Sequence, residues 1–495
     1  MDSILFWNHC ALEANRISHT HGLDKGALGP TGSSRAIAII HLAMHDAYVG
    51  AKGRANTTLS IYDANTPTPA SGTAISVNGA IAGAAHETLR LLYPDTSIHG
   101  DFNLANHFTV ASNMFNEANW DNGVLYGRIV AMHMIGLRLA DPDLGDSNYD
   151  TIAPRGRGKH QKDPDNPTQG YHAPYYGAGA SLFAATKRHA INVPPQPGTT
   201  DYERYLVQVK EKGIKPELMG SVPYAKRRTV DETVIGVYWG YDGAKYLGTP
   251  PRLYNQIVRE IAIHRANTLE QNVRLFALVN AAMGDAGILA WEQKYVHNFW
   301  RPVVGIRNHD VSLGSDAVPG NNLNNAADTE WLPYGGPKSN EPGKKNFTPP
   351  FPAYPSGHAT FGAASLHVVR KFYNVNGAGP DNLFNGLHFV SDEYNGITAD
   401  NNGTVRPLHR RNFPNGLWDM IIENGLSRVY IGVHWAFDAF QLDGSDKPDL
   451  DNIIDANGNI NPAQNVGGVP LGLAIAEDVF RNFKKSNVGP APSVA

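Results

Sequence analysis

The chain has 495 residues, with 42 Lys+Arg against 46 Asp+Glu and a formal net charge of −4. Its 42% hydrophobic and 18% charged residues are the composition of a globular protein and exclude a disordered one. The slightly acidic balance excludes non-specific nucleic-acid binding through a basic surface, and the single cysteine, Cys10, excludes an intramolecular disulfide and a cysteine-based zinc site.

No apolar run approaches the roughly 20 residues that span a bilayer, so no transmembrane segment is expected. The opening MDSILFWNHC has neither a basic n-region nor a small-residue cleavage site, so no secretory signal is expected. The compartment is left open between the cytoplasm and export by a non-standard route.

In chain order the pattern is helical. Ser34 to Tyr48 carries apolar residues at helix spacing behind a Ser cap candidate. Gly72 to Leu92 is Ala-rich, and Asn122 to Leu139 repeats the spacing. Asn272 to Trp291 is the longest and most apolar segment. Further helices are expected at Ser356–Phe372, Trp418–Tyr430 and Leu471–Phe483. Alternating strand patterns are few and short. The pattern therefore reads as an all-α protein of packed bundles with long irregular loops over 140–175, 307–354 and 441–469. No repeat of fixed period is present.

Three segments carry the chemistry. They are Lys294 to Arg301-Pro302, Pro355-Ser356-Gly357-His358, and Ser427-Arg428 to Gly432-x-His434. Together they supply three cations, a Ser-Gly turn at a helix start, and two histidines, an inventory that suits a tetrahedral oxyanion. Arginine forks bind pairs of oxyanion oxygens and lysine adds a point charge. A helix N-terminus offers backbone N–H groups and favours negative charge. Two imidazoles can divide the roles of nucleophile or ligand and of general acid–base. Arg428 and His434 lie too far apart to share one face of a straight helix, and Gly432 between them marks a break that re-aims His434.

These segments, as K-x6-R-P, P-S-G-H and S-R-x3-G-x-H, resemble the signature of the acid phosphatase and vanadium-dependent haloperoxidase superfamily. SILFWNHCALEANRISHT, YWGYDGAKYLGTPPRLYNQIVR, TPPFPAYPSGHATFG and VGGVPLGLAIAEDVF are similar to its vanadium chloroperoxidase branch. The resemblance implies two four-helix bundles in one chain, the first over about 30–140 and the second over about 230–445. The second would supply the whole site, at the bottom of a funnel lined partly by the 307–354 loop.

The resemblance also implies the cofactor, vanadate, and the roles around it. Lys294, Arg301 and Arg428 would hold its equatorial oxygens, with hydrogen bonds from Ser356 and the Gly357 N–H. His434 would bind vanadium, and His358 would be the acid–base group opposite. Asp242 would pair with the site arginines. Trp291 and Phe351 would form an apolar wall beside the halide. The implied reaction oxidises chloride and bromide with hydrogen peroxide to hypohalous acid through a peroxovanadate that halide attacks. An organic acceptor and the oligomeric state are left open. The alternative is an acid phosphatase with a phospho-histidine intermediate at the same residues.

Other candidates read as structural. His41, His45 and Asp46 lack a third ligand in the motif and read as helix packing. Asp455-x-Asn457-x-Asn459 has Ile460 where a calcium loop needs Gly, and no closing Glu. His297 and His309 flank the first motif as surface or supporting residues, and His367 reads as packing.

Overall fold

The computed structural model describes residues 2–307, 328–455 and 457–491. The protein is mostly helical, and its strands among the described residues form two small antiparallel pairs, Ile98–His99 with Phe102–Asn103 and Phe389–Val390 with Arg410–Arg411, besides isolated bridges. All seven expected helices are present: Gly29–Lys52, Val77–Leu92, Trp120–Gly136, Leu269–His297, Gly357–Phe372, Leu417–Tyr430 and Gly468–Asn482. The first starts earlier than its Ser34 cap candidate, with Leu28 at the cap position and Pro30 in the first turn.

Five further helices of eight or more residues escape the sequence pattern: Ser3–His21, Leu104–Phe115, Thr200–Lys212, Val230–Tyr238 and Pro250–His264. In Ser3–His21 the reason is polar residues on the buried side. Asn8, Asn15 and Ser18 are fully buried there, and Asn8 hydrogen-bonds His41 and Asn255.

Leu269–His297 is the central helix. Thr268 and Gln271 form a capping box at its start, and Asn298, with φ of 48°, ends it in the left-handed region. Lys294 therefore sits in its last turn and Arg301 just past the exit. Among the described helices it alone is long and apolar enough, by length and composition, to cross a membrane. Yet 94% of its most apolar window is buried inside the protein, as expected of a core helix. It lies between Gly29–Lys52 on one side and Gly357–Phe372 on the other.

Close helix packing depends on glycine at two places. Val77–Leu92 meets Trp120–Gly136 through Gly79, Gly83, Gly123 and Gly127. A methyl at Gly83 would lie 2.2 Å from the Val124 carbonyl oxygen, and one at Gly127 would lie 2.0 Å from that of Ala80. Gly468–Asn482 approaches Gly357–Phe372 in the same way. A methyl at Gly468 would lie 2.5 Å from Ser356 O, and one at Gly472 the same distance from Thr360 O. The partner of the PSGH helix thus comes from beyond residue 445. Leu417–Tyr430 and Pro250–His264 complete its surroundings.

Candidate active site

The three motif segments converge. Ser356 caps Gly357–Phe372 with its side chain, and its own N–H donates to the Asp438 carbonyl oxygen at 2.7 Å. The first N–H groups of a helix have no intrahelical partner, so this end is an anion-binding surface. Leu417–Tyr430 places Arg428 in its last turn, and the chain then turns at Gly432, with φ of 73°. Here glycine is required twice over, because a methyl would also lie 2.5 Å from the Gly213 carbonyl oxygen. The break brings His434 back toward Arg301, as the motif spacing implies.

Asp242 accepts a bidentate pair from Arg428, at 2.9 and 2.7 Å. Arg301 donates from Nε to Phe351 O and from Nη1 to Val433 O, both at 2.8 Å. It also lies 2.9 Å from His434 Nε2 through Nη1. His434 Nδ1 is 2.7 Å from Asp438 Oδ2, which also accepts the Trp435 N–H. These contacts assign the tautomer: Nδ1 carries the proton, and the Nε2 lone pair accepts from Arg301.

Lys294 is fully buried, with its three N–H groups donating to the carbonyls of Pro352, Ala353 and Pro355. This differs from the expected direct hold on an oxyanion. The ammonium instead pins the segment that carries Phe351 and Ser356, and contributes its charge from there. Burial, reinforced by Arg301, pushes its pKa well below the usual lysine value.

His358 Nε2 lies 2.8 Å from the Gly240 carbonyl oxygen. Burial and the neighbouring Arg428 hold its pKa down to about 3, so the imidazole is neutral and can accept a proton. Burial raises the Asp438 carboxyl to about 7, against the pull of Lys294 and Arg301.

The cavity above these groups has a volume of about 180 Å³, and Trp291, Phe351, Gly357, His358, Arg428 and His434 are among its lining residues. The Trp291 and Phe351 rings pack 4.8 Å apart. The Arg301 guanidinium carbon lies 4.9 Å from the Phe351 ring centre, and Lys294 Nζ lies 5.1 Å from it. The aromatic wall therefore rests on the cations it partly shields.

The structure brings together all ten residues singled out from the sequence, and adds others. Asp438 went unnoticed, though its spacing of four from His434 was a readable signal. Gly29, Pro30 and His172 also line the cavity. The expectation that 230–445 supplies the whole site is therefore corrected: the N-terminal half completes one wall. No local pattern marked those three positions. Phe347, Pro349 and Pro350, from the 307–354 segment, also line the cavity, while the 308–327 stretch of that segment, with His309, lies outside the described residues.

The remaining candidates are structural. His41 bonds Asn8 and the Ile37 carbonyl, and His45 bonds Asp46, which holds Tyr62, Asp63 and Thr66. Asp455 accepts the N–H groups of Asn457 and Asn459 in a tight turn. His297 packs against Tyr354, and His367 pairs with Glu477.

Of the motif residues, Arg301 and Arg428 each keep a buried donor with no partner among the described residues, Nη2 and Nε respectively. Two orphaned guanidinium N–H groups, an imidazole nitrogen and a helix N-terminus fit a tetrahedral oxyanion; of the nearby carboxylates, Asp242 is paired with Arg428, while Asp438 engages His434 through Oδ2 and its Oδ1 has no partner among the described residues. Fold and site thus define a helical protein that holds such an anion in a buried, cationic cavity.

Comparisons agree. Residues 1–181 match the vanadium chloroperoxidase N-terminal domain, and 274–442 match the second helical-bundle domain of that protein. The vanadium chloroperoxidase of Curvularia inaequalis is 32% identical over an alignment covering 97% of this chain and 90% of the relative. Among solved structures, a bacterial vanadium-dependent iodoperoxidase has a TM-score of 0.60 at 17% identity, over 97% of this chain and 96% of the other. A holo-type bacterial vanadium-dependent chloroperoxidase has 0.58 at 16%, over 95% and 96%. At those identities the structural matches show the fold alone. The chain belongs to the vanadium haloperoxidase family, and its cofactor is vanadate.

Proposed function

We propose that the enzyme oxidises chloride and bromide with hydrogen peroxide to hypohalous acid. One observation carries this reading: the orphaned donors of Arg301 and Arg428, and His434 Nε2 against the Arg301 guanidinium, lie beside the apolar Trp291–Phe351 wall. Bound vanadate supplies a Lewis-acidic centre that activates peroxide toward halide.

The chain's own residues do the rest. Arg301 and Arg428 bind oxyanion oxygens, and Asp242 orients the Arg428 plane. Ser356 Oγ and the Gly357 N–H donate at the helix end. His434 Nε2 is the metal ligand, with Asp438 holding the opposite nitrogen protonated and the ring in place. His358, kept neutral, takes the proton that peroxide loses on binding. Trp291 and Phe351 strip water from the halide. The assignment of chloride rests on the 32% identical chloroperoxidase and on a phenylalanine at position 351.

The test is loss of monochlorodimedone absorbance with vanadate-loaded protein and peroxide, with chloride, bromide and iodide in turn. Turnover with chloride and bromide supports the reading, and turnover without chloride rejects the halide assignment. The His434–Asp438 pair also favours a second reading, since a carboxylate-held imidazole is a nucleophile for phosphorus. No halide turnover beside strong hydrolysis of p-nitrophenyl phosphate would establish that phosphatase.

A further inference from the structure

The wall contributed by the N-terminal half is organised around His172. Its N–H donates to the Pro350 carbonyl at 2.8 Å. Its carbonyl accepts from Trp291 Nε1 at 3.2 Å and from Tyr295 Oη at 2.7 Å. The backbone of one residue therefore ties both sides of the aromatic wall to the 140–175 loop. Its ring continues that wall, with centroids 5.9 Å from Trp291 and 6.0 Å from Phe351.

The place for this ring is built. A methyl at Gly29 would lie 2.6 Å from His172 Cε1, and Gly29 itself has φ of 69°. The Gly29 N–H donates to His19 Nε2 at 2.9 Å, and His19 Nδ1 bonds the Asn15 carbonyl oxygen at 2.8 Å. The helix start at Gly29 is thus fixed against the imidazole.

The ring is also polar in a defined way. Nε2 lies 2.9 Å from Thr31 Oγ1, while Nδ1 has no hydrogen bond among the described residues. Burial holds the imidazole pKa down to about 4, so the ring is neutral and offers one donor and one acceptor. The Thr31 hydroxyl can donate to Nε2, the arrangement that places the proton on Nδ1. The aromatic wall then has one N–H donor at its edge.

We propose that His172 is a further specificity-determining residue. Its Nδ1–H donates to the halide held against Trp291 and Phe351, and Thr31 sets the tautomer that makes this possible. The inference rests on the halide-oxidising reading of the cavity. Chloride is the smaller, more strongly hydrated ion, so a donor that replaces a lost water matters more to chloride than to bromide. A site that hydrogen-bonds its substrate discriminates more sharply than an apolar pocket alone.

The test is halide binding to vanadate-loaded protein, read by chloride and bromide NMR line broadening, for wild type, His172→Phe, His172→Gln and Thr31→Val. His172→Phe is expected to weaken chloride binding about 10-fold, with a smaller loss for bromide. His172→Gln, which keeps a side-chain donor, restores most of it. Vanadate affinity by calorimetry stays at the wild-type value, because the ring makes no contact with His434 or the arginines. Equal losses for the two halides, or no rescue by Gln, would overturn the proposal. Thr31→Val leaves the ring in place and carries the test if the Phe variant does not fold. An unchanged chloride-to-bromide affinity ratio there rejects it. Chloride binding that depends on His172 in a protein that oxidises no halide would sink the proposed reaction and keep this inference. Halide oxidation with chloride binding indifferent to His172 would do the reverse.

Discussion

His434 divides its two ring nitrogens between two tasks. Nδ1 faces Asp438 at 2.7 Å and Nε2 faces the cations. His434→Ala is therefore expected to abolish stable vanadate binding, whereas His358→Ala keeps vanadate and loses turnover. Equal vanadate affinity in wild type and His434→Ala, by calorimetry, rejects the ligand assignment. Asp438→Asn removes the charge that holds the Nδ1 proton, with an expected loss of about 10-fold in vanadate affinity. Wild-type affinity in that variant would make Asp438 a packing residue only. Phe351→His puts a polar ring where the wall is apolar and is expected to lower the chloride-to-bromide rate ratio. A ratio unchanged from wild type would remove Phe351 from selectivity. At this scale the sequence was highly readable, because each motif is a short contiguous stretch whose chemistry is stated by residue type. His172 and Gly29 were not readable, because their role exists only as a contact between distant segments.

Among the elements, the PSGH helix matters most, and its position is set by its neighbours. Gly468–Asn482 lies so close that a single methyl at Gly472 would reach 2.5 Å from the Thr360 carbonyl oxygen. That atom is backbone and cannot swing aside. Gly472→Ala is expected to destabilise the protein by about 1–3 kcal/mol, the usual cost of overpacking, and to weaken vanadate binding by shifting the helix start at Ser356. Wild-type melting temperature and vanadate affinity in this variant would show that the contact has slack. Helix cores were legible through apolar spacing. Ends were less so: the helix over Gly29–Lys52 begins five residues before the Ser34 cap candidate. Ser3–His21 was missed because its buried asparagines bond other buried polar groups and interrupt the apolar pattern.

For the whole molecule, buried neutral histidines link stability to pH. Burial holds His19, His41, His86, His172 and His297 at about 4, and His358 at about 3. Unfolded, each titrates near about 6.5. Between those values the unfolded chain binds more protons than the folded one, so stability falls as pH drops below about 6.5. Burial raises Asp438 and Glu393 to about 7, which acts in the opposite sense, but these carboxylates are fewer than the histidines. The melting temperature is expected to fall between pH 7 and pH 5, and a flat or rising profile would reject this balance. Vanadate should raise it, by about 2.7 kcal/mol of stability at a hundredfold excess over Kd. No shift with vanadate would reject binding to the folded state.

The sequence by itself determined the helical class, the anion chemistry and the three motif segments, because helix periodicity and residue chemistry are local properties. Tertiary structure decided the rest. It turned Lys294 into a clamp on the carbonyls of Pro352, Ala353 and Pro355. It also closed the cavity with Gly29, Pro30 and His172 from the other half of the chain. The physical reason is that a buried charge or donor must be satisfied by whichever group the packing brings within reach, and no local pattern states which group that will be.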